Sequence, residues 1–319
     1  MAEQRIIPEL MLKLYSGEFF NKEEVEIPTV GEYAQKSFDL HRFDRRASTQ
    51  SDYEISYRLH IAPYFSKVRI DSIKPSDIAR WQNELLEKLM PRRVRNIRAV
   101  FNTIFEDAIN DDLIEKNPIS RVKVPRLNIV ENKAFSLEEM KKIVENADGW
   151  LQSFCAVGFF TGMRSGEIIG LRWEDVSFEH KENSIKRSIK RGVISEPKTR
   201  SSVRTIDIID PLMPYLLAQY DRTGKKGEYV FLNKRGEHFY DIKRVRDTHW
   251  KKLLENLGIE YRPTYQMRHT FATMMIENGE DVLWVSNMLG HADPSMTLTK
   301  YAKYRKRKEK ERATFLRAV

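Results

Sequence analysis

Residues 154–167 read FCAVGFFTGMRSGE, an apolar run that passes directly into an arginine between two glycines. The apolar part covers residues 154–160, far short of the roughly 20 residues that cross a bilayer, and therefore predicts a buried core helix. Gly162 and Gly166 bracket Arg164, which allows the backbone to turn tightly and present the guanidinium. The stretch thus predicts a core helix that ends at a functional arginine.

The segments around this stretch predict a mixed domain. Upstream, Ser136 and Glu139 are spaced as a capping box, in which a hydroxyl and a carboxylate satisfy the first free amides of a helix. Downstream lie two β-like segments at about residues 184–190 and 203–208, and a shorter one at 229–232. After these the pattern is helical to the end. We expect a mainly α domain with a small antiparallel β-sheet.

The first third of the chain carries helical patterns and no strand alternation. Thr29 and Glu32 form another capping box, and Pro75 and Pro91 open later helices. The helix from Pro91 has apolar residues at helical spacing, which predicts one buried face. Its other side is typical either of a solvated face or of a cationic row for phosphate contacts. Four arginines form this row: Arg92, Arg93, Arg95 and Arg98.

Composition narrows the class of protein. The chain has 319 residues, 41% of them hydrophobic, and a formal net charge of +9, which favours a polyanionic partner. The single cysteine, Cys155, excludes an intramolecular disulfide and is predicted to be an inert core thiol. No segment predicts a membrane span or a signal peptide. We expect a cytoplasmic, nucleoid-associated protein.

The common cofactor and metal motifs are missing from the sequence. There is no Walker phosphate loop, no GxGxxG after a strand and no HExxH. Seven dispersed histidines and one cysteine argue against a zinc site. We therefore expect neither a cofactor nor a metal.

Four short segments carry candidate chemistry instead. The first is TGMRSGE at residues 161–167, and the second is PKT at 197–199, where a hairpin tip would place a lysine in a cleft. The third, YQMRHTFAT at 265–273, brings Tyr265 and Arg268 to one helix face. The fourth, LGH at 289–291, precedes a tyrosine within TLTKYAKY. Their order and spacing resemble those of the tyrosine recombinase (phage integrase) family.

The resemblance implies a role for each residue that matches the family's site. Arg164 and Arg268 would hold the scissile phosphate by bidentate hydrogen bonds. Lys198 would protonate the leaving 5′ oxygen as a general acid. Tyr301 would attack the phosphate and form a 3′-phosphotyrosyl link. This chemistry needs no ATP and no metal ion.

Two further residues match the family's site, and one position departs from it. His291 would orient the phosphate, and Glu167 would position its neighbours. Where the family usually has histidine in His-x-x-Arg, this chain has Tyr265, and a phenol is a much poorer proton acceptor than imidazole near neutral pH. Tyr265 is therefore expected to bind phosphate. His269 is predicted to be secondary, a core or capping histidine.

Some alternatives stay open from the sequence. Tyr304, three residues after Tyr301, competes for the role of nucleophile. A type IB topoisomerase-like enzyme would use the same nucleophile chemistry. A catalytically degenerate DNA-binding accessory protein would explain the departure at Tyr265. The DNA target, and a role in mobile-element integration or in chromosome-dimer resolution, also stay open.

The resemblance further implies partners and a domain plan. The partners are duplex DNA, other copies of the chain in a tetramer on two DNA sites, and accessory DNA-bending or directionality factors, with no membrane. The tail is expected to dock on a neighbouring protomer. The predicted plan is an N-terminal extension (1–27), a helical core DNA-binding domain (28–115), an interdomain linker (116–134), a catalytic domain (135–302) and a C-terminal tail (303–319).

Overall fold

The computed structural model describes Met11 and residues 26–127, 133–195 and 203–301. The chain divides into two compact units, Met1–Val130 and Glu131–Val319. Most of the predicted N-terminal extension, the predicted C-terminal tail and the segment 197–199 lie outside the described residues.

The first unit is helical throughout its described part, apart from one isolated bridge between Thr29 and Arg69. The predicted capping box of Thr29 and Glu32 is present, with Glu32 N donating to Thr29 Oγ1 at 3.3 Å. Pro75 and Pro91 occupy the first positions of their helices, as predicted. The helices are α1 (Val30–Leu40), α2 (Ala47–His60), α3 (Ala62–Phe65), α4 (Pro75–Lys88) and α5 (Pro91–Asn110), with 3₁₀ turns at Ile70–Ser72 and Pro118–Arg121.

An aromatic cluster forms the centre of this unit. Phe65, Trp81 and Phe101 pack at ring-centroid distances of 5.1–6.0 Å, and Trp81 donates its indole N–H to the carbonyl of His60 at 2.8 Å. The 3₁₀ turn at Pro118–Arg121 adds buried Ile119 to the same core. The start of the segment predicted as a linker therefore belongs to the first unit, because its apolar side chains pack against the core of that unit.

The second unit is mixed, and its predicted capping box at Ser136 and Glu139 is present. Its helices are α6 (Leu137–Asn146), α7 (Trp150–Thr161), α8 (Ser165–Ile169), α9 (Met213–Thr223), α10 (Ile242–Val245), a π-helical turn at Arg246–Trp250, α11 (Lys251–Asn256), α12 (Gln266–Glu277), α13 (Val282–Leu289) and α14 (Pro294–Tyr301), with 3₁₀ turns at Trp173–Asp175 and Asp210–Leu212. Its strands are β1 (Val176–Ser177), β2 (Glu182–Ile185), β3 (Ser188–Lys190), β4 (Val193–Ser195) and β5 (Arg204–Asp207).

Helix α7 is the core helix that the apolar run predicts. Nearly all of its residues are buried, including Cys155, whose thiol pKa is raised by that burial. The helix passes close to α12 at Gly158, where an added Cβ would lie 2.8 Å from the Met267 sulfur. This close approach brings the end of α7 next to the start of α12, and both ends carry predicted site residues.

The strands form two antiparallel sheets, ordered β1–β2–β5 and β3–β4. The single strand predicted at 184–190 is in fact two, because Lys186 and Arg187 leave the first sheet to form ion pairs with buried Asp175. The turn of the β3–β4 hairpin is formed by Arg191 and Gly192, both with positive φ, as two-residue hairpin turns require.

The segment predicted as a strand at 229–232 pairs only through isolated bridges. Tyr229 bridges to Arg172, and Leu232 bridges to His238. In the part of the chain that the structure describes, no helix has the length and apolarity to span a membrane.

Candidate active site

Arg164 and Glu167 are held together by the local fold that the two glycines permit. Gly162 ends α7 in the left-handed conformation at φ +65°, where an added Cβ would also lie 2.6 Å from the Phe271 ring. Arg164 then caps α8, and its backbone N–H and its Nη1 donate to the two oxygens of Glu167 at 2.9 and 2.7 Å. The Arg164 side chain stays 38% exposed, whereas Glu167 is buried. The guanidinium is therefore both anchored and accessible.

A second guanidinium binds the same carboxylate. Arg204, at the start of β5, donates from Nη2 to Glu167 at 3.0 Å and from Nε to the carbonyl of Met288 at 3.0 Å. Burial raises the pKa of Glu167, but the charges of Arg204 and Arg164 outweigh burial and hold that pKa below its ordinary value. Glu167 is thus an anion that ties strand β5 to helix α8.

Sequence reasoning did not assign Arg204 to the site, although a signal was present. Along β5, Arg204 alternates with Thr205 and shares a face with Ile206, which is buried. An arginine on the buried face of a strand needs an anionic or carbonyl partner, because a charge is costly to bury alone. That partner is Glu167 of the TGMRSGE motif.

Arg268 lies in the first turn of α12 and is only 1% exposed. Its Nη1 donates to the carbonyl of Gly162 at 2.9 Å, which joins the two arginine motifs directly. Burial, and then the nearby charge of Arg164, lower the pKa of this guanidinium to about 10. Arg268 remains a cation near neutral pH, held rigidly beside Arg164.

Tyr301, the last residue of α14, is 3% exposed and contacts α12. Its Oη lies 2.6 Å from Nδ1 of His269, with ring centroids 5.7 Å apart. Burial, with the charges of Lys300 and Arg268, lowers the pKa of His269 to about 4. The histidine interpreted as secondary therefore contacts the candidate nucleophile, and it is neutral near pH 7.

Helical spacing could have identified His269. Tyr265 and His269 are four residues apart, so their side chains lie on one face of the helix. Their rings do meet, with centroids 4.9 Å apart in an edge-to-face arrangement. Tyr265 itself is 42% exposed at the start of α12.

His291 follows the left-handed Gly290 that ends α13. Its Nδ1 lies 2.6 Å from Oγ1 of Thr297, a fully buried residue of α14. Burial, and then the charge of Arg268, lower the pKa of His291 to about 4. Helix α14 thus holds His291 through Thr297 and, one turn later, presents Tyr301 to His269.

The structure therefore brings together six of the seven residues predicted as catalytic, and Lys198 lies outside the described residues. In the part of the chain that the structure describes, no group of three or more potential ligands could hold a metal ion. The six residues are Arg164, Glu167, Tyr265, Arg268, His291 and Tyr301.

Comparison with family models shows the family of the chain. A model described as the phage integrase family matches residues 133–308, and a model of the phage integrase N-terminal SAM-like domain matches residues 29–86. The chain belongs to the phage integrase family. As a member, it is a tyrosine-type site-specific DNA recombinase, and the predicted fold class is confirmed.

Two curated relatives agree with this assignment. The recombinase is 32% identical to a XerC-like tyrosine recombinase of Caldanaerobacter subterraneus subsp. tengcongensis, over 83% of this chain and 76% of the relative. It is 28% identical to the ICEBs1 integrase of Bacillus subtilis, over 80% and 73%.

Two solved structures share the fold of the recombinase. The Tn1549 transposon integrase in complex with a circular intermediate DNA has a TM-score of 0.74 at 22% identity, covering 86% of this chain and 95% of that one. A lambda integrase tetramer bound to a Holliday junction has a TM-score of 0.70 at 16% identity, covering 91% and 88%.

One member of the predicted arginine row of the recombinase does not belong to a surface row. Arg98 is 7% exposed and donates to the side chain of Gln82 and to the carbonyls of Ile119 and Val122 at 3.1 and 3.0 Å. It lies one turn after buried Val94, so helical spacing places it towards the core. The prediction of Arg98 as a phosphate contact is therefore corrected to a structural role.

The remaining arginines of the row stay candidates for phosphate contact. Arg92 is exposed, and Arg93 and Arg95 are half-buried. Arg95 also donates from Nε to the carbonyl of Pro125 at 2.7 Å. The prediction of phosphate contacts is therefore kept for these three arginines.

Substitution of Arg98 by methionine should destabilise the recombinase without changing its electrostatic contact with DNA. The change removes the donors of two buried hydrogen bonds and of one partly buried hydrogen bond, and we expect a loss of about 2–4 kcal/mol in the free energy of unfolding. Arg92→Met is the matched control, with a stability change within about 0.5 kcal/mol. Arg92→Met should instead reduce the slope of the logarithm of the DNA-binding constant against the logarithm of salt concentration by about one unit. Urea denaturation measures the stability of each variant, and binding titrations at several salt concentrations measure the salt dependence. A loss of stability in Arg92→Met together with a change in salt dependence in Arg98→Met would contradict the structural role of Arg98.

Proposed function

We propose that this recombinase cleaves and rejoins duplex DNA through a 3′-phosphotyrosyl intermediate on Tyr301. The observation that carries the proposal is the short contact between Tyr301 Oη and His269, on the helix turn that also holds the buried cation Arg268. A phenol with an ordinary pKa near 10 is a weak nucleophile at neutral pH. A cationic pocket stabilises its anion and so favours attack.

Arg164 and Arg268 form the phosphate clamp in this proposal. Attack on a phosphodiester adds charge to the non-bridging oxygens, and preorganised guanidiniums stabilise that charge. Glu167 keeps Arg164 in place through two hydrogen bonds. His291 is oriented by Thr297 and, being neutral, donates from Nε2 when Nδ1 accepts the hydroxyl proton.

Lys198 is the general acid of the proposed reaction. It protonates the 5′ oxygen as the bond from phosphorus to that oxygen breaks and the bond from Tyr301 to phosphorus forms. Attack by a 5′ hydroxyl reverses the same steps and rejoins the strand. Tyr265, exposed at the start of α12, donates a hydrogen bond to a phosphate oxygen.

The working form in this proposal is a tetramer on two duplex sites, acting at the nucleoid in the cytoplasm. The net charge of +9 supports a duplex DNA partner. The lambda integrase of the same fold was solved as a tetramer on a Holliday junction, which supports this stoichiometry. Residues 303–319 are proposed to dock on a neighbouring protomer.

Two assays test the proposal together. A nicked substrate that loses its 5′ fragment after cleavage should trap a protein–DNA complex that survives denaturant and disappears on proteolysis. A plasmid with two target sites should give recombinant products that a plasmid with one site does not give. Relaxation of supercoils without exchange would instead favour a topoisomerase. Absence of any covalent complex would favour a degenerate binding protein.

A further inference from the structure

The contact between His269 and Tyr301 has the geometry for proton donation from the phenol to the imidazole ring. A phenol with an ordinary pKa near 10 is protonated near neutral pH, and imidazole nitrogens are better acceptors than phenol oxygens. The pKa of His269, lowered to about 4, leaves the ring neutral. In the tautomer that carries the ring proton on Nε2, Nδ1 has a lone pair that accepts from Tyr301 Oη, 2.6 Å away.

The described groups that surround His269 are poorer proton acceptors than its own Nδ1. The charged groups that face His269 are the cations Lys300 and Arg268, neither of which has a lone pair. Tyr265 packs its ring edge-to-face against His269 at 4.9 Å and is a poor acceptor. His291 has its Nδ1 engaged with Thr297, on a preceding turn of α14.

We propose that His269 is the general base that takes the phenolic proton of Tyr301 during strand cleavage, an inference that rests on the proposed function. In the cleavage step the Tyr301 Oη–H bond breaks and its proton moves to Nδ1 of His269. The phenolic oxygen forms a bond to phosphorus, and the bond from phosphorus to the 5′ oxygen breaks. That oxygen takes a proton from Lys198. Rejoining returns the proton from His269 to Tyr301.

The arriving phosphate supports this transfer. A scissile phosphodiester brings negative charge to the pocket, which favours the protonated form of a neighbouring imidazole. The base therefore becomes stronger when substrate binds. The departure at Tyr265 fits the same arrangement, because the basic nitrogen stands one helical turn later on the same face.

The test compares His269→Asn with His269→Ala in single-turnover cleavage of the nicked substrate. Asparagine retains a hydrogen-bond acceptor for Tyr301 but cannot take its proton, so a positioning role would survive in His269→Asn. We expect both variants to cleave about 10²–10³-fold more slowly than the wild type. Added imidazole should restore part of the rate of His269→Ala. Cleavage by His269→Asn within about threefold of the wild type would overturn the proposal.

A second substrate separates the base from the acid. A sulfur atom in place of the bridging 5′ oxygen leaves as a thiolate and needs no proton, since thiol pKa values lie near 8.5. This substrate should rescue Lys198→Ala but not His269→Asn. Rescue of His269→Asn would place His269 on the leaving-group side and overturn its assignment.

Two controls make the result decisive. Thermal unfolding tests whether each variant is folded, and DNA-binding titrations test whether it binds DNA. If one of the two variants unfolds, the other still tests the proposal. His269→Ala does so through its rescue by imidazole, and His269→Asn does so through its pH profile. The cleavage rate of His269→Asn should rise about tenfold per pH unit, more steeply than that of the wild type, because hydroxide must then deprotonate the phenol. Wild-type protein that forms no covalent complex would refute the proposed function, whereas a fully active His269→Asn would refute this inference alone.

Discussion

We expect Tyr301→Phe to eliminate the covalent DNA complex of this recombinase and to reduce cleavage by at least about 10⁴-fold, comparable to loss of other enzymatic nucleophiles. The substitution removes the oxygen that would join phosphorus and leaves the ring that packs beside His269. The substitution loses the hydrogen bond with His269, worth about 1 kcal/mol, and we expect the variant to fold and bind DNA. Denaturing electrophoresis of trapped complexes on nicked substrate measures cleavage, and a binding titration measures retention of DNA.

Tyr304→Phe is the matched control for this result. It removes the same atom from the competing tyrosine, which lies outside the described residues. We expect Tyr304→Phe to trap covalent complex as the wild type does. Trapping by Tyr301→Phe together with its loss in Tyr304→Phe would move the nucleophile to Tyr304.

Local signals in the sequence predicted the helical framework well. The capping boxes at Thr29 and Ser136 satisfy amides within three residues of themselves, so no distant partner is needed to recognise them. The apolar run in α7 predicts burial because every face of that helix is apolar. Such features depend only on neighbours in the chain.

Features that depend on distant partners were predicted less well. The break between β2 and β3 follows from the ion pairs of Lys186 and Arg187 with Asp175, which sequence spacing does not reveal. Arginine is usually a surface residue, but the hydrogen-bond acceptors of Arg98 lie on α4 and in the turn after α5. In both cases a charged side chain is satisfied by a partner far along the chain.

The candidate site shows the same division. The motif residues Arg164, Arg268 and His291 lie in short signatures, which are weak singly and point to the site through their joint order and spacing. His269 and Arg204 have no signature of their own, and their roles follow from contacts with Tyr301 and Glu167. Spacing along α12 and β5 could have placed both on the correct face, but only the packed structure pairs them with their partners.

Glu167→Gln should be the most destabilising polar substitution in the site. Glu167 is buried and accepts hydrogen bonds from Arg164 and Arg204, of which the Arg204 side chain is itself buried. Glutamine keeps the size of the side chain but removes the charge that compensates these guanidiniums. Breaking a buried ion pair in this way costs about 3–5 kcal/mol in the free energy of unfolding. Misplaced Arg164 should also slow cleavage by about 10²-fold, since positioning errors of this kind raise the barrier.

Exposed Glu182 in β2 gives the matched control, and Glu182→Gln should change stability by less than about 0.5 kcal/mol. The pH dependence separates charge from shape. Because the pKa of Glu167 is lowered in the folded state, its contribution is complete above its ordinary pKa of about 4.3 and is lost as the pH falls through the folded value. Urea denaturation at pH 7 and at successively lower pH should therefore show the gap between wild type and Glu167→Gln narrowing in acid. A gap that stays constant down to pH 2 would mean that the shape of the side chain, and not its charge, holds Arg164 and Arg204 in place.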